Sequence, residues 1–293
     1  MTENSDGGKI YFVDADMKTG GGAVKMIDAD GSNEKLLVGK ESGQPDGIEV
    51  DVEGGKMYWT SMGPGGAADQ SVAINDGRIM RANLDGTDVE TLVPRGITTT
   101  PKQLTLDVSG GKVYWCDRGD VGKENVNPKI MRANLDGSDV ETLISTDVKS
   151  PVGIALDVPN GKLYFTDRYA NTIKRANLDG TDVEMVVKNT NYPVDLAIDF
   201  EKRNIYWTGR TDGVLFVADM DQNDVDGGGL KPIATGLHAP IGVAIDRKNR
   251  KLYVNDPYVD SSSGAIWKGN MDGSGAERIA TTVLPLGLYF VNN

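Results

Sequence analysis

The phrase RANLDGTDVETLV at 81–93 is written again at 132–144 (RANLDGSDVETLI) and at 175–187 (RANLDGTDVEMVV). A chain that repeats a phrase this closely builds one supersecondary unit several times, and each copy must bury its faces against its neighbours. A second run recurs upstream, roughly every 50 residues, which is the period of a repeat array. Its copies are KIYFVD (9–14), KMYWTS (56–61), KVYWCD (112–117), KLYFTD (162–167), NIYWTG (204–209) and KLYVND (251–256). Before all but the first stands a third run: DGIEVDV (46–52), KQLTLDV (102–108), VGIALDV (152–158), VDLAIDF (194–200) and IGVAIDR (241–247). One more copy of that run, LGLYFVN (286–292), ends the chain.

Short runs of β-branched and aromatic residues between Gly, Asn and Asp are strands. No segment carries a useful 3.6-residue apolar period. Four strands per unit and six units predict an all-β fold, a six-bladed propeller of four-stranded antiparallel blades. Residues 1–8 read as a tail and 9–293 as a single domain. The chain enters on the second strand of the first blade, so 286–292 is expected to pair with 9–14, closing the ring and hiding its sheet edges.

LDGTD is hairpin chemistry: Asp85-Gly86, Asp136-Gly137, Asp179-Gly180 and Asp272-Gly273 supply the Asp-Gly pairs that tight reversals demand. The phrase therefore recurs because a strand connection recurs. In an antiparallel blade the 1-2 and 3-4 turns share one face, and here they are short and uniform. The 2-3 and 4-1 connections share the opposite face, where the copies diverge. Insertions fall at 14–22, 61–77, 117–129 and 257–264, with longer approaches at 39–46 and 94–101. Variable loops on a rigid scaffold carry binding and chemistry, which puts the expected site at the channel mouth on that face.

Net charge is −12, which argues against nucleic acid or an anionic membrane as partner, since both need a basic footprint. Cys116 is the only cysteine, the sequence has no Asn-x-Ser/Thr sequon, and MTENSDGG has no secretory signature. A cytoplasmic location is the expectation.

Candidate site residues are those that break the repeat. Arg118, Arg168 and Arg210 follow the second-strand motif on three successive blades and are expected to rim one sector of the mouth. Guanidinium forks suit an oxyanion, enolate or carboxylate; the alternative is ordinary pairing with Asp117 and Asp167. In the first-strand run the register holds Gly47, Gly153, Gly242 and Gly287, but Gln103 and Asp195 on two blades, with Asp46 and Lys102 one position earlier. Two positions further on, Ala155, Ala197 and Ala244 alternate with Glu49, Thr105 and Tyr289. Tyr169, Tyr192, Tyr258, Met62, Ile97, Leu284 and Leu286 are candidate walls for an apolar ligand. His238 is the only histidine, so Ser-His-Asp catalysis is poorly supported, and Cys116 reads as buried and inert. Glu49, Asp195, Asn255 and Asp256 form a conceivable divalent-cation set, though nothing in their spacing is diagnostic.

The Tyr-Trp-Thr-Asp strands and ANLDGT hairpins resemble the class B repeats of the low-density-lipoprotein receptor family, over essentially 9–291. The resemblance implies a six-bladed propeller. Free-standing propellers of this type are similar to fungal specialised-metabolism proteins that steer hetero-Diels–Alder cycloadditions between a tropolone-derived quinone methide and a terpene. That resemblance implies a small-molecule enzyme without a cofactor, acting on a hydrophobic substrate with an oxygenated ring. Arg118, Arg168, Arg210 and Lys102 would then be catalytic, and Asp46, Glu49, Met62, Gln103, Tyr169, Tyr192, Asp195, Tyr258, Leu286 and Tyr289 would bind substrate. Two other classes stay open: a protein- or peptide-binding propeller, as in the receptors, and a metal-dependent hydrolase of the lactonase kind.

Overall fold

The structure is a computed structural model that describes residues 7–16, 21–63, 76–120, 126–260 and 263–292. The remainder of the expected tail and of the insertions at 14–22, 61–77, 117–129 and 257–264 lies outside the described residues. The chain forms six sheets around one axis, antiparallel but for one short added strand. Blade 2 is Pro45–Asp51, Lys56–Ser61, Gly77–Asn83 and Glu90–Thr98. Blade 3 is Pro101–Asp107, Lys112–Asp117, Lys129–Asn134 and Glu141–Ile144. Blade 4 is Pro151–Asp157, Lys162–Asp167, Thr172–Asn177 and Glu184–Lys188. Blade 5 begins Pro193–Asp199, Asn204–Gly209, Val214–Asp219, and blade 6 is Val243–Asp246, Lys251–Asp256, Gly264–Asn270 and Glu277–Thr282.

Blade 1 joins the two ends of the chain. Lys9–Asp16, Gly21–Asp28 and Lys35–Val38 take Pro285–Val291 as their inner strand, with Lys9 opposite Val291 and Phe12 opposite Leu288. The ring is closed as expected. Blade 5 departs from the pattern. Its outer edge is a short stretch around Ala234, bridged to Leu215, while the chain between swings out and adds Val225–Asp226 in parallel to the outer strand of blade 4. Two residues are too few to leave a periodic trace.

The motif residues are spent on joining blades. In blades 2 to 5 each inner strand slips register after its first residue, as between Pro45 and Ile48. A slip frees backbone groups that burial would leave unpaired. The motif threonine takes them up. Thr166 Oγ1 accepts from Gly153 N (2.8 Å) and donates to Val194 O (2.7 Å) on the next blade; Thr208 does the same with Asp195 N (3.1 Å) and Ile241 O (2.7 Å). Cys116 stands in this slot on blade 3, fully buried, its thiol 3.6 Å from Gly153 O and its pKa pushed up by desolvation. Trp59, Trp115 and Trp207 fill the space between blades.

The repeated phrase is structural, and its arginine explains the fidelity. Arg81, Arg132 and Arg175 lie over Tyr58, Tyr114 and Tyr164 at 5.9, 5.6 and 6.0 Å. Each pairs with the phrase's glutamate and donates to a carbonyl of the following blade, Leu135, Leu178 or Met220. Asp85 Oδ1 accepts from both the amide and the hydroxyl of Thr87 inside the turn. Gly86 adopts φ +88°, and a Cβ there would sit 2.2 Å from Leu37 O of the preceding blade. Sequence repeats because blade-to-blade contact repeats.

Candidate functional site

On the face of the 2-3 and 4-1 loops, the motif aspartates do not pair with the arginines beside them, contrary to the alternative weighed above. Asp117 accepts from Thr98 Oγ1 and from the amides of Thr99, Thr100 and Gly119. Asp167 accepts from the amides of Lys149 and Ser150. Asp14 and Asp256 hold the corresponding approaches on blades 1 and 6, the latter with His238 Nδ1 at 3.2 Å. These carboxylates shape loops, which leaves the neighbouring cations for other partners.

Lys102 Nζ meets Asp46 Oδ2 at 2.7 Å and Met62 Sδ at 2.9 Å, all buried. Burial pulls the Lys102 pKa down to about 8; Asp46 opposes the shift, and Arg118 and Arg168 add to it. Burial also lowers Arg118, with Arg168 next in importance. Arg168 is 6% exposed, and its Nε is buried without a hydrogen-bond partner among the described residues. Its guanidinium lies 4.7 Å from the Tyr169 ring and 5.0 Å from that of Tyr192, the two rings being tilted at 6.1 Å. Arg210 lies over Tyr258 at 5.6 Å, and its amide donates to Tyr192 O. Pairwise contacts thus link candidates from blade to blade: Asp46 with Lys102, Arg168 with Tyr169 and Tyr192, and Arg210 with Tyr258.

The other candidates do not join them. At the register of Asp46 and Lys102 the remaining blades carry Val152, Val194, Ile241 and Leu286, which pack in one buried cluster with Met62 and Leu284. These four side chains form an apolar arc that completes a layer with the Asp46–Lys102 pair. Ile97 packs instead between blades 2 and 3. Leu286 belongs to that layer, and Glu49, Gln103, Asp195 and Tyr289 line a separate cavity to which it does not contribute, which corrects the expectation of a single shared pocket. They line an axial cavity of about 330 Å³ that reaches the face of the 1-2 turns at Val158, Pro159, Phe200 and Arg247. Glycines make the room: a Cβ on Gly47 would lie 2.9 Å from Gln103 Oε1, and one on Gly153 would lie 3.1 Å from Asp195 Oδ1. Glu49 Oε2 accepts from Leu106 N at 3.1 Å, and Asp195 Oδ2 accepts from Val243 N at 3.1 Å. Desolvation raises Glu49 to about 8 and Asp195 to about 7.

Arg247 was missed from sequence. It follows the last aspartate of IGVAIDR, where blades 2 to 5 have Val52, Val108, Val158 and Phe200, and that substitution was the available signal. Its Nη2 donates to Ile198 O at 3.1 Å and its guanidinium stacks over Phe200 at 4.8 Å. The cation set considered above is not assembled: Asn255 Nδ2 bonds to Leu286 O and Gly287 O, and Asp256 to loop amides. No three His, Cys, Asp or Glu side chains converge among the described residues.

The fold and its inter-blade clips define a six-bladed propeller built from YWTD-type repeats. The chain belongs to the low-density-lipoprotein receptor class B repeat family. Residues 111–158 match the family model described as low-density lipoprotein receptor repeat class B. The chain is 32% identical over 284 residues to the low-density lipoprotein receptor-related protein 1 of Pyricularia oryzae, covering 85% of this chain and 88% of that protein. It is 28% identical over 277 residues to the 3-hydroxyacyl-CoA dehydrogenase-like protein LAM1 of Cochliobolus heterostrophus, spanning 82% of this chain and 54% of that protein. Among solved structures it superposes on a chain of the nidogen/laminin complex with TM-score 0.74 at 18% identity, covering 97% and 98% of the two chains. TolB from Acinetobacter baumannii gives 0.69 at 12% identity, covering 97% of this chain and 66% of TolB.

Proposed function

We propose that the protein is a cofactor-independent small-molecule enzyme that holds an oxygenated ring compound and an apolar partner at the cationic mouth and guides a cycloaddition of the hetero-Diels–Alder type. The observation that carries this is the charge balance there: Lys102, Arg118 and Arg168 act on one another around the buried Asp46 carboxylate, in a chain of net charge −12. Cationic donors gathered in an acidic protein suit an oxygen that gains negative charge. The unpartnered Nε of Arg168 is a donor in waiting.

Such a cycloaddition makes its new σ bonds from π electrons already present, with no leaving group, oxidant or net proton transfer. Two reactants held in register and one polarised oxygen suffice. Lys102, Arg118 and Arg168 would stabilise the oxygen, Tyr169 and Tyr192 would stack on the ring, and Arg210 with Tyr258 would border the apolar partner. A cytoplasmic location belongs to the same proposal. A peptide-binding role is the second reading, favoured by Tyr169 and Tyr258, 51% and 43% exposed.

The test is saturable binding of tropolone and of catechol by thermal shift, followed by turnover of quinone methide precursors with a terpene alkene. Arg168→Ala and the surface variant Tyr169→Ala are expected to weaken tropolone binding at least tenfold with unchanged circular dichroism. Unaltered binding in both variants would overturn the assignment, and capture of a tyrosine-rich peptide in place of tropolone would favour the second reading.

A further inference from the structure

The axial cavity lined by Glu49, Gln103 and Asp195 has no part in that chemistry. Its volume, about 330 Å³, lies at the low end of those that enclose small organic ligands. One register sets its shape. Ala155, Ala197 and Ala244 on blades 4 to 6 leave the space, and Glu49, Thr105 and Tyr289 face it from blades 2, 3 and 1. Glu49 and Asp195 come from blades 2 and 5, opposite one another in a ring of six.

The cavity brings acceptor-bearing side chains of three blades together. Gln103 is 5% exposed, lines the cavity and gives its amide group to Asp46 O and Oδ1 at 3.4 Å. Glu49 accepts from Leu106 N and from the Thr105 hydroxyl, Asp195 accepts from the amides of Val243 and Leu196, and each carboxyl keeps further lone pairs. Arg247 stands exposed at the rim, held by Ile198 O and Phe200. Two carboxyls and a carboxamide around one volume suit a guest with several N–H donors.

We infer that the cavity is a binding site for a compact primary amine, taken as its ammonium ion through the face of the 1-2 turns. Three N–H bonds would reach Glu49, Asp195 and Gln103 Oε1, and the alkyl body would lie on the alanines near the Phe200 and Tyr289 rings, which attract cations by their faces. In the empty cavity desolvation holds protons on both acids around neutrality. An entering ammonium favours their ionised forms and expels those protons, so binding strengthens as pH rises. The charged groups that bear on the pair are few: Arg247 opposes ionisation of neither acid and stabilises that of Glu49, while Asp46 raises Asp195 and Asp51 lies near Tyr289.

The test uses the full chain with n-butylammonium, butan-1-ol and butyrate, by calorimetry and thermal shift at pH 6 and pH 8.5, where butylamine remains protonated. Only the ammonium is expected to bind saturably, about tenfold or more tighter at the higher pH, since displacing one proton is worth up to tenfold per pH unit. Glu49→Gln combined with Asp195→Asn should abolish the pH dependence. Ala197→Leu should fill the cavity and remove binding, and Ala155→Val serves if leucine prevents folding. Arg168→Ala should bind butylammonium normally, so failure at the mouth and failure here are separable. Equal binding of butanol or butyrate, a flat or inverted pH dependence, or full affinity in the filled-cavity variant would overturn the inference.

Discussion

Lys102 Nζ lies 2.7 Å from Asp46 Oδ2, and the two residues hold the same register on neighbouring blades. Both are buried, so each depends on the other for a counter-charge. Asp46→Asn leaves an ammonium facing Arg118 and Arg168 without its paired carboxylate. Loss of one partner of a buried pair costs about 3–5 kcal/mol, and urea denaturation should show a fall of that order. Asp46→Leu with Lys102→Met should recover most of it. A single variant as stable as wild type would mean that the pair contributes nothing.

Stability should fall between pH 4.5 and pH 8. Glu49 is raised from 4.5 to about 8 and Asp195 from 3.8 to about 7. Below the ordinary carboxylate range both groups are protonated folded or unfolded, and their contribution is intact. As pH rises the unfolded chain ionises first, so the folded state loses ground until it too ionises near 7 to 8. Glu49→Gln should flatten that slope, with a gain on the order of 2 kcal/mol at pH 8.5 after allowance for water reaching the cavity. Chemical denaturation across this range reads it directly.

Thr208→Val removes a hydroxyl that accepts from Asp195 N and donates to Ile241 O. Two buried backbone groups lose their partner, at about 1–3 kcal/mol. Thr208→Ser keeps the hydroxyl and should cost under half as much. Equal losses in both variants would point to methyl packing instead of the hydrogen bonds.

Deleting residues 285–293 strips blade 1 of its inner strand and exposes the edge of Lys9–Asp16. Open edges recruit other chains. The truncated protein is expected to elute as aggregates in size-exclusion chromatography and to lose its cooperative melt. A monomeric truncation with a sharp melt would show that closure is dispensable.

The fold was legible because registered copies overdetermine it: Tyr11, Tyr58, Tyr114, Tyr164, Tyr206 and Tyr253 fix every second strand. Mismatch between copies also found the residues that line the axis. Register ranks Asp46, Gln103 and Glu49 as successive layers, yet it does not say at which end each layer opens. Val152, Val194, Ile241 and Leu286 decide that by packing in one buried cluster, and a contact among four blades has no local signature. The partners of Asp117 and Asp167 are hidden for a related reason, since the amides of Thr100 and Ser150 that they bind lie 17 positions upstream.

Val152, Val194, Ile241 and Leu286 therefore share one layer with the Asp46–Lys102 pair, and the cavity of Glu49 and Asp195 opens on the other face of the ring. Gln103 joins the two, since it lines that cavity and bonds to Asp46. A substitution in either place is felt in the other through that one amide.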